Sequence, residues 1–285
     1  MVPPEEGSVR RVLEHVGWEP REIVGLVRLR GRVLTAEKVA INAAMAGCRP
    51  EHFPVVLAAT AAMADDRFNL HGSMLSTAGA APLVIVNGPI VQELGFNAGG
   101  NVFGPGWRAN ATVGRALRLV LLNGCGARPG TLDRATLGHP GKYSYCIAED
   151  EPGLPAGWPP LHVERGLEAG ESAVTVVAAQ APQQVSDHAS STPEALLGVV
   201  GAALAAPAAA PGAHVVVVSP EHRAVLARAG WSKADVRQFL AGRVARLEPS
   251  DLLVVGAGGE AGGFSAIIPP WSGGRASQPV TRAVE

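Results

Sequence analysis

"HVVVVSPE", His214–Glu221, decides how this chain folds. His214–Val218 is a β-branched run suited to a pleated, buried surface, and it predicts a strand. Ser219, Pro220 and Glu221 follow as cap, first helical residue and first-turn acid, so a helix opens directly behind the strand. Downstream, Ser232 begins another helix through Leu240, and Leu252–Val255 reads as a further strand. Upstream, "AVTVVA" (Ala173–Ala178) is a strand, and Thr192–Ala206 is a helix with Thr192 as cap and Pro193 at its first position. Strand, helix, strand, helix, strand predicts an α/β fold, a mostly parallel sheet with helices on its faces.

The earlier part of the chain carries compatible signals. Two helical stretches, Thr35–Ala46 and one opening at Pro50, precede a short buried strand, Leu83–Val86. A glycine-rich loop and a long helix, about Trp107 to Asn123, come next. The expected organisation is an N-terminal arm, 1–32, and two similar-sized α/β halves, 33–156 and 157–285. The proline-rich crossing around Pro152, Pro155 and Gly157–Pro160 marks their boundary. No repeat of fixed period is visible.

Composition narrows the function classes. The 285 residues are 47% hydrophobic and 17% charged, with a formal net charge of −1. That is ample for a buried core. No basic run is present that could neutralise a phosphate backbone, which argues against nucleic acid as a partner. Ala195–Ala210 is apolar but interrupted by Gly201 and Pro207, so a buried helix is expected and no membrane span. Met1–Gly7 lacks the pattern of a secretory signal. Three separated cysteines, Cys48, Cys125 and Cys146, then fit a reduced cytoplasm.

Cys48 stands where the first two helical stretches meet, with Arg49 beside it and Pro50–Glu51 opening the next helix. A helix N-terminus and a neighbouring cation both lower a thiol pKa, so a reactive thiolate is expected; the plain alternative is a small buried hydrophobe. The loop "GFNAGGNVFGPGWRANATVG", Gly95–Gly114, is the second candidate. Gly99, Gly100, Gly104 and Gly106 permit close backbone approach, and the free N–H groups of the following helix favour an anion. Arg49 and Arg108 supply charge, and Asn97, Asn101 and Asn110 neutral hydrogen bonds. The third stretch, Gly138–Glu151, gathers His139, Lys142, Tyr143, Tyr145, Cys146, Glu149 and Glu151, among them side chains suited to proton transfer.

Other patterns fall short. No closely spaced Cys or His pairs indicate a structural zinc site. A metal held by Cys48, Cys146 and His71, or an iron–sulfur cluster on the cysteines, would need residues gathered from afar. Ser186-Asp187-His188 holds the three triad residue types as sequence neighbours, an arrangement that rarely makes a triad. Gly256-Ala257-Gly258-Gly259-Glu260-Ala261 follows a strand, but the next residues are too short and proline-broken for a dinucleotide-binding unit.

Four phrases carry a resemblance: "EKVAINAAMAGCRPEHFPVVLAA", "APLVIVNGPI", "FGPGWRANATVGRALRLVL" and "LGHPGKYSYCIAEDE". They resemble the bacterial UGSC-like (seleno)proteins, over about Thr35–Thr175. The Gly-Ser-Cys motif that names that family is absent, since Gly47-Cys48 continues with Arg49. The resemblance implies a cysteine-centred bacterial enzyme and names no substrate.

The leading expectation is therefore a cytoplasmic α/β enzyme, a lyase, hydrolase or reductase, for a small anionic metabolite. Cys48 would be nucleophile or reductant, His71, Lys142 or Glu149 would move protons, and no cofactor would be required. One rival is a metal- or iron–sulfur-dependent lyase or hydratase. The other is a non-catalytic binding or assembly subunit, and a homo-oligomer is compatible with each.

Overall fold

A strand buried on both faces reads as a nearly unbroken apolar run, as in Leu83–Val86, Ala173–Ala178, His214–Val218 and Leu252–Val255. The computed structural model describes residues 1–205 and 211–285. Helix α1 (Glu6–Val16) leads into a hairpin, β1 (Ile23–Val27) and β2 (Arg32–Thr35). Helices α2 (Ala36–Ala46), α3 (Phe53–Ala64) and α4 (Leu70–Leu75) follow. Then come β3 (Ala81–Asn87), the short α5 (Ile90–Glu93), α6 (Arg108–Leu119), β4 (Cys146–Ala148) and α7 (Leu161–Glu164). The remainder is β5 (Ala173–Ala179), β6 (Gln183–Ser186), α8 (Pro193–Ala205), β7 (His214–Val218), α9 (Pro220–Arg228), α10 (Lys233–Arg243), β8 (Leu252–Gly256), β9 (Phe264–Ile268) and β10 (Val280–Ala283). The α8 helix carries Pro193 at its start as expected; the anticipated end at Ala206, and the alanine-rich run to Ala210, lie outside the described residues.

The larger strands form two four-stranded sheets, ordered β10-β5-β3-β4 and β6-β9-β7-β8. Leu83, Ile85, Ile147 and Val177 of the first pack against Val215, Val217, Val255 and Ala266 of the second. The alternate residues face outward. Val84, Val86, Val174 and Val176 meet α2, α3 and α6, while Val216, Val218, Val254 and Ile267 meet α8, α9 and α10. The result is four layers, helices, sheet, sheet, helices, in which period-two alternation fills two different apolar interfaces.

The α/β class holds, and the mostly parallel sheet does not. Among the described residues, only β3–β4 and β7–β8 of the two larger sheets run parallel; β3–β5, β5–β10, β7–β9 and β6–β9 are antiparallel. A run buried on both faces carries no signal of direction. Between Gly256 and Phe264 the chain is too short for a parallel crossover, which needs a dozen or more residues, so β9 must return antiparallel.

The two sheets share one plan. Each has a central strand (β3 or β7), a parallel neighbour (β4 or β8), an antiparallel neighbour (β5 or β9) and an outer strand lent by the other half. β6 follows β5 yet joins the second sheet, and β10 follows β9 yet joins the first. Residue 157, where the sequence suggested a boundary, falls between β4 and β5 of the same sheet.

Candidate functional site

Gly47 closes α2 in the left-handed region at φ 88, and its amide and that of Cys48 bond back to Ala44 and Ala43. The chain then turns through Pro50–His52 before α3 starts at Phe53. Cys48 thus lies a full turn short of the α-helix. Arg108, at the first position of α6, donates from Nε to the Gly47 carbonyl at 3.2 Å. One turn on, the Thr112 hydroxyl donates to the Arg108 carbonyl at 2.9 Å and lies 3.4 Å from His52 Nδ1. Thr112 also hydrogen-bonds the Cys48 thiol. The structure therefore joins the two strongest sequence features, Cys48 and Arg108, into one corner.

The electrostatics of that corner differ from the expectation. Burial pushes the Cys48 thiol up to about 11, and Thr112 and Arg108 pull it down only in part. Removing the sulfur from water outweighs one hydrogen bond and one nearby charge, so the resting thiol is protonated rather than a thiolate. His52 is buried and held below the usual imidazole range, first by burial and then by Arg49. Its Nδ1 accepts the Arg49 N–H at 3.3 Å, which puts the ring proton on Nε2. A neutral imidazole whose unprotonated Nδ1 is held only by one long N–H contact can still act as a base. Neither His52 nor Thr112 was singled out as a site residue by the sequence. Thr112 has a helical signal, four residues past Arg108 on α6, whereas His52 is brought back to the Cys48 turn by the Arg49 N–H, which no spacing announces.

The glycine-rich loop lies over the carboxyl ends of both parallel pairs. Its Asn97 carbonyl accepts from Ala148 N at 3.3 Å and its Ala98 carbonyl from Gly258 N at 2.8 Å. The asparagines expected to hold a ligand hold the loop instead. Asn110 Oδ1 accepts from Asn97 N at 2.8 Å, while its Nδ2 donates to the carbonyls of Asn97 (3.1 Å) and Cys146 (3.3 Å). Asn97 in turn bonds Gly99 N and the Gly100 carbonyl. Gly104 is required because a Cβ there would collide with the Asn101 side chain, and Gly106 because it sits at φ 125.

A cleft opens on each side of this loop. The first, about 410 Å³, is bordered by Val102, Val217, Ser219, Gly258, Gly259 and Ala266. The second, about 430 Å³, is bordered by Gly104, Pro105, Asn110, Ser144, Tyr145 and Cys146. Both fall within the roughly 300–1,000 Å³ range of small-molecule sites. The first lies outside the carboxyl ends of β7 and β8, the usual place for ligands in α/β sheets, whereas the second lies at the amino ends of β3 and β4. The loop from Gly256 runs directly into β9, so the helix that a dinucleotide unit needs is absent there.

The expected proton carriers sit elsewhere. Glu149 is 1% exposed and fully engaged by Asn87 Nδ2, Leu161 N, Lys233 Nζ and Gly256 N. Lys142 Nζ is paired with both oxygens of Asp133, at 2.7 and 2.9 Å. His71 lies on α4, and no described hydrogen bond links it to Cys48 or Arg108. Cys125 is fully buried, its thiol pushed up to about 12 by burial. Among the described residues no group of three His, Cys, Asp or Glu side chains is placed to hold a metal ion, although Cys48 lies near enough to Cys146 to help raise its thiol. Ser186-Asp187-His188 does not form a triad. Instead His222 Nε2 donates to the Asp187 carbonyl at 2.9 Å, leaving Nδ1 to accept from Ser265 at 2.7 Å. Strand alternation points Ser265 beneath α9 with Ile267, and Ala266 towards the first cleft.

Neither a family model, nor a curated protein, nor a solved structure matches this chain.

Proposed function

We propose that the chain is a cysteine-dependent enzyme for a small anionic metabolite, with Cys48 as the reacting thiol and Arg108 and Arg49 drawing the anion to it. The observation that carries this reading is the Arg108–Gly47 contact at 3.2 Å, which brings a cation 60 residues distant in sequence to the turn holding Cys48. The thiol rests protonated. Thr112 stands between it and the neutral His52, so on attack the hydroxyl can turn from the Arg108 carbonyl, take up the thiol proton and pass its own to Nδ1 in place of the Arg49 N–H. Arg108 is exposed, as a residue that meets an incoming anion must be. Kinship with the UGSC-like proteins belongs to the same proposal, since it too centres on a cysteine.

Alkylation tests the corner without a known substrate. Iodoacetate is anionic and iodoacetamide neutral, and peptide mass spectrometry reads each at Cys48. Relative to free cysteine, iodoacetate should be favoured over iodoacetamide by about tenfold, as one charge-assisted contact implies. Arg108→Gln should erase the preference, and Thr112→Val should slow both reagents. A preference unchanged in Arg108→Gln would remove the anion from the proposal. Equal rates in Thr112→Val would remove the proton route.

A further inference from the structure

The shared plan of the two sheets allows residue-by-residue comparison of their carboxyl ends. In the first, Val86 pairs with Ala148; in the second, Val218 pairs with Gly256. The next amide makes the same bond in each, Glu149 N to the Val86 carbonyl at 3.1 Å and Ala257 N to the Val218 carbonyl at 3.2 Å. Counting on, Asn87 corresponds to Ser219, Asp150 to Gly258 and Glu151 to Gly259.

In the first half this corner contains a carboxylate of the protein itself. Glu151 Oε1 accepts from Gly88 N at 2.6 Å and from Asn87 Nδ2 at 2.8 Å, at the start of α5. In the second half the corresponding position is Gly259, which has no side chain. The residue matching Asn87 is Ser219, 8% exposed, whose buried Oγ has no hydrogen-bond partner. It does not cap α9, although it holds the cap position of that nine-residue helix. Ser219 instead borders the first cleft, with Gly258 facing it so closely that a Cβ there would stand 3.5 Å from Ser219 Cβ. Buried hydroxyls are seldom left unpaired, and the uncapped N–H groups of α9 add a field that favours negative charge.

We propose that the first cleft binds the carboxylate of a small, partly apolar molecule in the place where Glu151 acts in the first half. Ser219 Oγ and the first N–H groups of α9 donate to the carboxylate. Val102, Val217, Phe264 and Ala266 receive the apolar body. Glu221 does not compete for those donors, because its carboxylate is turned to Gly262 N at 3.0 Å. This site uses no atom of the Cys48 corner and stands or falls separately from it.

Benzoate and its neutral match benzamide are suitable probes of the full chain, followed by amide NMR shifts and titration. Benzoate should shift the amides of Ser219, Gly258 and Gly259, and should bind about tenfold more tightly than benzamide, as expected for a charge-assisted bond. Ser219→Ala should reduce the benzoate affinity to that of benzamide. The same variant should unfold at the same temperature as the parent or higher, since it removes a buried unpaired hydroxyl. Equal affinities for the two probes, no benzoate binding at millimolar concentration, or an unchanged benzoate affinity in Ser219→Ala would each overturn the proposal.

Discussion

Glu149 and Lys233 form an ion pair of 2.9 Å in the interior, with side-chain exposures of 0% and 1%. Glu149 leaves the carboxyl end of β4 and Lys233 begins α10, so the pair ties the outer helices of the second half to the first sheet. Asn87, Leu161 N and Gly256 N complete the carboxylate's shell, and Glu164 lies 3.7 Å from Lys233. Removing one partner leaves an uncompensated buried charge. Lys233→Met should therefore cost about 3–5 kcal/mol, whereas the double variant Glu149→Leu/Lys233→Met should recover part of it. Urea unfolding of the three variants reads this. A single variant as stable as the parent would show that the carboxylate has another counter-charge.

Asn110 should matter for the loop rather than for a ligand. Its amide closes three hydrogen bonds that fasten the glycine-rich segment to α6 and β4. Asn110→Ala should cost about 1–3 kcal/mol, because it strands buried backbone groups. Hydrogen exchange should rise first over residues 97–106. Unchanged exchange there would mean that the loop is held by its other bonds, to Ala148 and Gly258.

These two cases show where sequence reading reaches. The strands Leu83–Val86, Ala173–Ala178, His214–Val218 and Leu252–Val255 and the starts of α8, α9 and α10 were legible, because β-branched runs, a Pro at the first helical position of α8 and α9 and the Ser232 cap of α10 are local signals, although Ser219 makes no cap bond to α9. The partners of those strands were not. β6 and β10 are short, and their exchange between sheets depends on partners far along the chain, Gln183 with Ile267 and Val280 with Val176, beyond any periodic signal. The same holds at the site. Cys48, Arg108 and the glycine loop were visible by residue type and spacing, but nothing local could show that Asn97 and Asn110 bond each other. Nor could it show that Glu149, set among proton-transfer side chains, is spent on a buried lysine. The sign of the thiol shift also escaped, since Arg49 is visible in sequence and burial is not.

Asp133 should make the protein acid-sensitive. Burial raises its carboxyl, but the hydrogen bonds from Lys142 and Arg118 outweigh it and hold the group below its ordinary 3.8. A depressed carboxyl contributes stability above its unfolded value, and that stability fades as pH falls through its folded value. Lys142→Met should lower stability at neutral pH and flatten the fall below about pH 4. Parallel urea curves at each pH compare parent and variant. An equal acid slope in both would place the acid sensitivity on other carboxylates.

The Cys48 thiol predicts the opposite dependence at high pH. Its ordinary value is 9.0 and burial raises it to about 11 in the folded chain. A raised acid binds its proton more tightly when folded, so the full contribution is present below pH 9 and is lost as pH rises towards 11. Two units at about 1.4 kcal/mol each put the loss on the order of 2–3 kcal/mol. Cys125, raised to about 12, adds a slope of its own, so the parent's curve alone cannot assign the effect. The difference between parent and Cys48→Ala isolates it: the two should diverge in stability by a constant amount up to about pH 9, then converge. The alkylation rate at Cys48 should climb through the same interval, at a higher pH than for an ordinary thiol. Parallel stability curves up to pH 11, or alkylation that saturates near pH 8, would show that the sulfur reaches water and that Arg108 governs its ionisation after all.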